Sequence, residues 1–448
     1  MKNKMITALA TIAALFSGCL HAQTQVVLSS RWFHPRNQDD TLSTIKVIDD
    51  FKVDRIDWMY CDNASQLNLL KQKGVKYSLA INPQVPDSAG YTTARTRIKD
   101  INGEPLTAPW MKNWKTKTPY WGCVNNPGFK AAFISATKKI VDLGAYGVVV
   151  DDARFNDHAF EWGGCYCDYC VSGFNAYLQA HGVSVPDSFN YRDAVLSKNY
   201  PGKADPRKLN LLYKNYQTQS VVNFLKNWRT EIETYANRPF TFLTNNSGGK
   251  WNSIYNVFDE GIAEMPQNKT SYAAVDQIIQ NAKQNNKKQI FSFASDDDSR
   301  NTAFYLYCYL SGAEAIIPWD AFMNGNNTAQ QGPARHFISH ASILPAIKFV
   351  NENRTSLLSA QTVDPSSVGV TPVAGNITVC KKLSNGQTYL FSSPDFQGAP
   401  KKANVLFRKK LAGATQQLVN GVMNSGDSGN NLTKDKSAVS GDYVLIKL

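Results

Sequence analysis

The feature that most constrains the fold of this chain is a regular alternation of short apolar runs and helix-compatible stretches. Each run is rich in β-branched or aromatic residues. Strands that alternate with helices predict parallel βα units, and eight units predict a closed (β/α)8 TIM barrel, an α/β fold. The eight predicted strands are Val26–Phe33, Asp54–Cys61, Lys76–Asn82, Tyr146–Asp151, Pro239–Asn245, Val257–Met265, Lys288–Ser295 and Ala313–Trp319.

A change of composition near residue 358 predicts a second domain. Residues 360–448 are rich in Ser, Thr, Gly, Asn and Val, and short strands separated by turns are typical of an antiparallel β-sandwich. We therefore divide the chain into a leader (1–22), a barrel (23–357) and a β-sandwich (358–448). The strands predicted in the sandwich are Ile377–Lys382, Thr388–Ser392, Ala403–Arg408, Gln417–Val419 and Tyr443–Lys447.

The first 22 residues have the pattern of a secretory signal peptide. Lys2 and Lys4 precede an apolar run that is too short to span a bilayer, and small residues follow it. Cleavage after Ala22 and lipid attachment at Cys19 are both open. We expect a periplasmic, cell-surface or secreted protein with no membrane span.

The chain is basic, with a formal net charge of +12. Its lysines are spread along the sequence without a dense run, which is typical of a solvated surface. Attraction to an acidic glycan is the second interpretation of this charge. No nucleic-acid-binding motif is present, so we expect no nucleic acid partner.

Carboxylates lie at or just after four of the predicted strands, the fourth, sixth, seventh and eighth, at the barrel edge where enzymes of this fold carry their chemistry. Asp151 directly follows the Val148–Val150 run, and Arg154 nearby would keep it ionised. Glu264 ends an apolar strand, where burial would raise its pKa as a proton donor needs. Glycoside hydrolysis uses two such groups, so we predict Asp151 as nucleophile and Glu264 as general acid/base.

Other polar and aromatic residues near the strand ends are candidates for substrate binding. Asn side chains suit sugar hydroxyls, and the flat faces of Trp suit pyranose rings. Packing inside the protein is the alternative for each of them. The predicted substrate-binding residues are Asp152, Arg154, Trp32, Trp58, Asn245, Asn246, Asp296, Trp319 and Asp320.

Four cysteines predict a structural metal site. Cys165, Cys167 and Cys170 lie within six residues, a spacing that suits one metal ion better than disulfide pairing. Cys123 would complete a closed tetrahedral zinc site that joins two long connections after the third and fourth strands. Disulfides remain the alternative, and we expect no organic cofactor.

The placing of these four cysteines resembles the zinc site of glycoside hydrolase family 42 β-galactosidases. That family carries an Asn-Glu pair on strand four and a glutamate nucleophile on strand seven, where this chain has Asp151-Asp152 and Asp296 to Asp298. The strand-four aspartate is instead similar to the nucleophile of retaining α-galactosidases. The resemblances imply a sugar-cleaving barrel with an accessory β-sandwich and do not name a sugar.

The sequence thus predicts an exported, retaining glycoside hydrolase that acts on an oligo- or polysaccharide. A carbohydrate-binding barrel without catalysis is the first alternative, and it predicts a tryptophan-lined groove without an opposed carboxylate pair. A polysaccharide lyase or deacetylase on the same fold is the second.

Overall fold

The structure is a computed structural model, and it describes residues 23–30, 37–84, 96–113, 120–201, 205–267, 270–321, 323, 333–395, 403–407, 438–441 and 443–448. The predicted strand Gln417–Val419, the leader with Cys19, and Trp32 lie outside these residues. None of the helices in the described ranges combines the length and the apolar character that crossing a membrane requires.

Strands and helices are mixed through residue 357, with four consecutive α-helices between the fifth and sixth strands. After residue 357 only strands and one short 3-10 helix are described. The strands are β1 (Val27–Ser29), β2 (Asn37–Ser43), β3 (Arg55–Met59), β4 (Lys76–Ile81), β5 (Gly147–Val150), β6 (Thr241–Asn245), β7 (Glu260–Glu264), β8 (Lys288–Ser292), β9 (Glu314–Asp320), β10 (Pro333–His336), β11 (Gln361–Val363), β12 (Val370–Thr371), β13 (Asn376–Lys382), β14 (Thr388–Pro394), β15 (Ala403–Phe407), β16 (Ala438–Gly441) and β17 (Val444–Lys447). The helices are α1 (Thr44–Phe51), α2 (Ala64–Gln72), α3 (Pro127–Asp142), α4 (Phe155–Phe160), α5 (Asp168–Ala180), α6 (Tyr191–Ser197), α7 (Pro206–Ala236), α8 (Tyr272–Gln284), α9 (Asp298–Leu310) and α10 (His340–Leu357).

The predicted barrel is confirmed. Strands β1, β3, β4, β5, β6, β7, β8 and β9 are neighbours in that order, all parallel, and β9 pairs back with β1. These are the eight predicted strands. The antiparallel ribbon of β2 and β10, which extends from β9, was not predicted.

The fourth barrel strand, β5, forms because its residues fit a crowded interior. Val148, Val149 and Val150 are fully buried, and β-branched side chains favour such a strand. A Cβ atom at Gly147 would lie 2.4 Å from the carbonyl oxygen of Thr241, so only glycine permits the close approach of β5 and β6. This close packing fixes the position of β5 in the barrel, and Asp151 is the first residue after the strand.

The long connections after β4 and β5 build a second hydrophobic core. We call their described residues within 96–126 and 152–201 the insertion layer. The long connection after β5 contains α4, α5 and α6, so its described residues are largely helical. Trp121, Phe174 and Tyr213, the last from α7, are buried in this core, which is distinct from the core around the barrel.

The C-terminal region forms two antiparallel sheets. One has the order β11-β13-β14-β17 and the other β12-β15-β16. Phe391 of β14 packs on Tyr272 and Tyr307 of the barrel helices. The Asp395 carboxylate accepts a hydrogen bond from the Tyr272 backbone N–H at 3.1 Å.

Candidate active site

A cavity of about 1150 Å³ lies at the C-terminal ends of the barrel strands. Its lining combines carboxylates, amides and aromatic rings, the mixture that recognises sugars. The predicted residues Asp151, Asp152, Arg154, Trp58, Asn245 and Glu264 all line it. The structure thus brings together residues from four barrel strands and the segments that follow them.

One amide joins the two predicted catalytic carboxylates. The Asn245 side-chain nitrogen donates to Asp151 Oδ1 at 3.2 Å and to Glu264 Oε2 at 3.0 Å. These two oxygens are therefore no more than about 6.2 Å apart. The strand register brings these three side chains together. Asn245 at the end of β6 is paired with Ile262 of β7, and Val150 of β5 is paired with Thr244 of β6.

The surroundings of Glu264 differ from the prediction. Its side chain is exposed rather than buried among apolar neighbours. The preceding residues Ile262 and Ala263 are fully buried, so the strand itself is apolar as expected. The last residue of this strand, Glu264, is polar and lines the cavity.

Tyr60 is a site residue that the sequence did not single out. Its hydroxyl donates to Asp151 Oδ2 at 2.9 Å, so both oxygens of Asp151 accept hydrogen bonds. Burial and the neighbouring Asp151 charge raise the pKa of Tyr60 well above its usual value. The phenol therefore stays protonated and holds the Asp151 carboxylate in one orientation.

Asp152 is the cavity carboxyl with the raised pKa. Burial raises that pKa most, followed by the charges of Asp151 and Glu264. The backbone of Asp152 is in the left-handed region, with φ at 55°, so its side chain leaves the chain in a different direction from that of Asp151. The tight turn after β5 and the end of β7 thus bring three carboxyl groups close together.

Arg154 forms two ion pairs within its own segment of the chain. Its guanidinium pairs with Asp157 at 2.6 Å and with Glu161 at 2.5 Å, both on the same turn of chain. The reason is local, because α4 begins at Phe155 and places these carboxylates within reach. Tyr60 and Asn245 hold Asp151 through hydrogen bonds.

Aromatic residues of the insertion layer form one wall of the cavity. Trp110 is 42% exposed and stacks on His158, with ring centroids 5.0 Å apart. Trp121 and Trp162 support the pair from behind, with their own centroids 4.7 Å apart. Burial, and next the Arg154 charge, lower the pKa of His158, so its ring is neutral near neutral pH. The sequence signal for this wall is the presence of tryptophans at 110, 121 and 162, in the two long connections.

Four predicted substrate-binding residues do not line the cavity. Asn246 is fully buried and donates to Gln289 at 3.0 Å. Trp319 and Asp320 are also fully buried, because the β2–β10 ribbon covers the end of β9; Trp319 stacks on His336 and Asp320 pairs with Arg335. Asp296 is exposed but lies outside the cavity lining.

The four predicted cysteines meet at one point in the insertion layer. All are buried, and their sulfur atoms lie within 4.8 Å of one another. The Cys123 and Cys170 sulfurs are 3.4 Å apart, and those of Cys167 and Cys123 are 3.6 Å apart. A tetrahedral metal with bonds of about 2.3 Å separates its sulfur ligands by roughly 3.8 Å. The cluster therefore has the spacing of a metal site, and none of the described cysteines is in a disulfide.

Amide groups surround this cluster. Asn156 donates its side-chain N–H to Cys123 at 3.3 Å and to Cys170 at 3.4 Å. Asn125 donates to Cys170 at 3.3 Å, and the Lys99 backbone N–H donates to Cys165 at 3.5 Å. Such donors stabilise thiolate ligands from outside the coordination shell.

Comparison with known proteins supports the fold. No family model matches the chain, and no curated protein sequence matches it. Among solved structures, a β-galactosidase from Bacillus circulans sp. alkalophilus superposes with a TM-score of 0.51 at 12% identity. The match covers 76% of this chain and 57% of that enzyme, so the chain spans little more than half of its length.

Two further structures are similar over nearly the whole chain but superpose less closely. A debranching enzyme from Nostoc punctiforme has 10% identity and a TM-score of 0.46, covering 95% of this chain and 98% of its own. An isomaltulose synthase from Klebsiella sp. LX3 has 9% identity and a TM-score of 0.48, covering 94% and 98%.

Proposed function

We propose that this protein is a glycoside hydrolase, and one observation carries the proposal: the opposed carboxylates of Asp151 and Glu264 bridged by Asn245. Two carboxyl groups on different barrel strands face one cavity. The two carboxylate oxygens that accept hydrogen bonds from Asn245 are no more than about 6.2 Å apart. Retaining glycosidases place theirs roughly 5–5.5 Å apart, and inverting enzymes leave room for a water between them. The geometry favours retention.

In this mechanism Asp151 attacks the anomeric carbon while Glu264 protonates the leaving oxygen. Glu264 then takes a proton from water, and that water hydrolyses the glycosyl-Asp151 intermediate. Tyr60 and Asn245 hold Asp151 in place through their hydrogen bonds. Asn245 also fixes Glu264, so one side chain sets the spacing of both groups.

The binding-barrel alternative predicts a groove without an opposed carboxylate pair. The bridged pair argues against it, although the Trp110 wall would suit either function. Export of the protein follows from the leader sequence and is part of the same proposal, together with lipid attachment at Cys19 as an open route of anchoring.

Zinc is the metal that best fits the four-cysteine cluster. Four thiolates and no open position form a structural site, which supplies folding energy rather than chemistry. Cys123, Cys165, Cys167 and Cys170 would hold the ion. Its contribution is to fasten the two connections that carry the Trp110 wall.

The first experiment measures reducing-sugar release from a panel of neutral, acidic and amino glycans by the wild type, Asp151→Asn and Glu264→Gln. We expect release by the wild type, and a loss of about 10³-fold or more in both variants with thermal stability retained. The anomer first released, followed by NMR, tests retention. Equal release by the wild type and Asp151→Asn would remove Asp151 as nucleophile, and binding without release from any glycan would favour the binding-barrel function.

A further inference from the structure

We propose that Trp110 is a second sugar-binding position in the cavity, and that it binds a neutral pyranose ring other than the ring that Asp151 attacks. The inference rests on the proposed function and names its substrate class, an oligosaccharide of neutral pyranose units. It starts from the exposure of Trp110, which lines the cavity and is 42% exposed. An aromatic ring in that position offers a flat apolar face to the C–H groups of a sugar.

Trp110 is exposed although the chain around it is fixed. It is the middle residue of a single 3-10 turn, Pro109–Met111, which a hydrogen bond from the Met111 N–H to the Ala108 carbonyl oxygen closes at 2.9 Å. Ala108 and Met111 are both buried. The Gln84 side-chain amide donates to the Met111 sulfur at 3.1 Å. The exposed indole is therefore anchored on both sides by buried neighbours.

Three aromatic rings of the insertion layer fix the orientation of the Trp110 indole. His158 stacks on it with an interplanar angle of 28° and ring centroids 5.0 Å apart. Trp121 and Trp162 meet it edge to face, with ring centroids 5.6 Å and 5.4 Å away. A side chain held in this way loses little conformational entropy when a ligand packs on it, which favours binding.

The two supporting tryptophans lack hydrogen bonds that buried indoles usually make. The Nε1 atoms of Trp121 and Trp162 are both buried, and neither has an acceptor among the described residues. A buried N–H without an acceptor costs free energy. Packing behind Trp110 outweighs this cost, and local costs of this kind are typical of functional sites.

The Trp110 wall and the carboxylate pair belong to different parts of the fold. Asp151 and Glu264 lie at the ends of barrel strands, whereas Trp110 and its described ring partners belong to the insertion layer. Both line one cavity of about 1150 Å³. Pockets that bury a drug-sized ligand have roughly 300–1,000 Å³. The cavity therefore has room for one sugar ring at Asp151 and another on Trp110.

The chemistry of the indole selects the kind of ring. Its face carries neither a charge nor a hydrogen-bonding group, so it packs on a pyranose through the C–H groups of one face. A carboxylate or sulfate on that face would lose its hydration without gaining a partner. The inference makes Trp110 a residue that measures the length of a neutral oligosaccharide and takes no part in bond cleavage.

The test is isothermal titration calorimetry on the Asp151→Asn protein, in which the proposed mechanism cannot form the glycosyl intermediate. The probes are the disaccharide and the hexasaccharide of four neutral series: β-1,4-linked glucose, β-1,4-linked mannose, β-1,4-linked N-acetylglucosamine and α-1,4-linked glucose. We expect the hexasaccharide of at least one series to bind at least about tenfold more tightly than its disaccharide, because it buries the exposed part of Trp110.

Trp110→Ala, made in the same protein, should bring this length effect close to one and leave the disaccharide affinity within about twofold. Trp110→Phe keeps an aromatic face and should retain most of the effect. Tyr169→Ala is the matched control, because Tyr169 is an exposed aromatic residue of the insertion layer outside the cavity lining. Matching thermal unfolding curves establish that the variants fold.

The absence of a length effect in all four series would overturn the inference, as would an effect that persists in Trp110→Ala, an equal loss in Tyr169→Ala, or no binding of any probe. These results do not depend on turnover. A wild type without hydrolytic activity that still shows the Trp110-dependent effect would refute the hydrolase and keep the sugar position, whereas an active enzyme without the effect would do the reverse.

Discussion

Three residues that line the cavity hold their backbone in the left-handed region. They are Trp58 at φ 61°, Asp152 at φ 55° and Ser247 at φ 44°. None is glycine, and such conformations cost of order 1–3 kcal/mol each unless the surroundings enforce them. Trp58 lies within β3, and Asp152 and Ser247 lie two residues after the ends of β5 and β6, so the barrel holds these strained residues at positions that line the cavity.

Asn245 offers a test of the bridge between the carboxylates. Asn245→Ala removes the donor to both Asp151 and Glu264, and we expect kcat to fall about 10- to 100-fold with little change in the melting temperature. Tyr60→Phe is the matched variant, because it removes one hydrogen bond to Asp151 only, and should reduce kcat less. An unchanged kcat in Asn245→Ala would show that the bridge does not position the pair.

Asp152 should lower the stability of the folded protein at neutral pH. Its pKa is raised on folding, mainly by burial and next by Asp151 and Glu264, so the folded state binds more protons than the unfolded state above the ordinary Asp pKa of 3.8. The free energy of unfolding therefore falls as the pH rises from that value through the raised pKa. We expect Asp152→Asn to stabilise by about 1 kcal/mol or more at pH 7 and to match the wild type below about pH 3.5. Thermal unfolding across pH measures this, and equal stability at pH 7 would contradict it.

At the scale of elements, we predict that the insertion layer depends on the proposed zinc ion. We expect one zinc ion per chain, and loss of zinc in Cys170→Ser together with a melting temperature lowered by several degrees. Hydrogen exchange should rise within residues 96–113 and 155–180 more than in the barrel strands. Cys308→Ala is the control, because Cys308 is buried in the barrel core away from the cluster. Unaltered exchange after zinc removal would contradict this role.

The barrel strands could be predicted from the sequence because each carries its own signal. The Val148–Val150 run fixed the end of β5, and the polar residues that follow β5, β6 and β7 marked the rim on which Asp151, Asn245 and Glu264 meet. The four-cysteine cluster could be predicted because the close spacing of three of its cysteines is visible in the sequence. The domain boundaries at 22 and 357 remain predictions.

What could not be predicted depends on contacts between distant segments. Trp319 and Asp320 end a barrel strand like the site residues, yet β10 covers them, and nothing local to β9 indicates that ribbon. Arg154 pairs with Asp157 and Glu161 because α4, a helix that was not predicted, begins immediately after it. Tyr60 was missed because a tyrosine after a strand carries no chemical signature by itself.

At the scale of the whole molecule, the two ends of the barrel carry charged residues with different roles. At the end opposite the cavity, Arg55 is fully buried and pairs with Asp57, Glu260 and Glu314, which joins β3 to β7 and β9 across the interior. Burial opposes ionisation of Glu260, but Arg55 and Lys288 outweigh it and the pKa of Glu260 lies below its usual value. The charges at this end serve stability.

Arg55→Leu should therefore destabilise the barrel without altering its chemistry. It leaves three carboxylates buried together, and we expect a loss of about 3–5 kcal/mol in the free energy of unfolding. Urea denaturation measures the loss, and kcat at low temperature should stay within about twofold of the wild type. A large fall in kcat with normal stability would show that the two ends are coupled.

The separate core of the insertion layer has a consequence for how the protein matures. We expect the barrel to close around its own core while the Trp110 wall is still unassembled, because the core of that wall is built mainly by the insertion layer, although α4 and α7 contribute buried residues to both cores. A newly made chain that lacks metal would then be compact and protease-resistant in its barrel but unable to retain a sugar. The supply of metal at the place of folding, rather than the folding of the barrel, would set the moment at which activity begins.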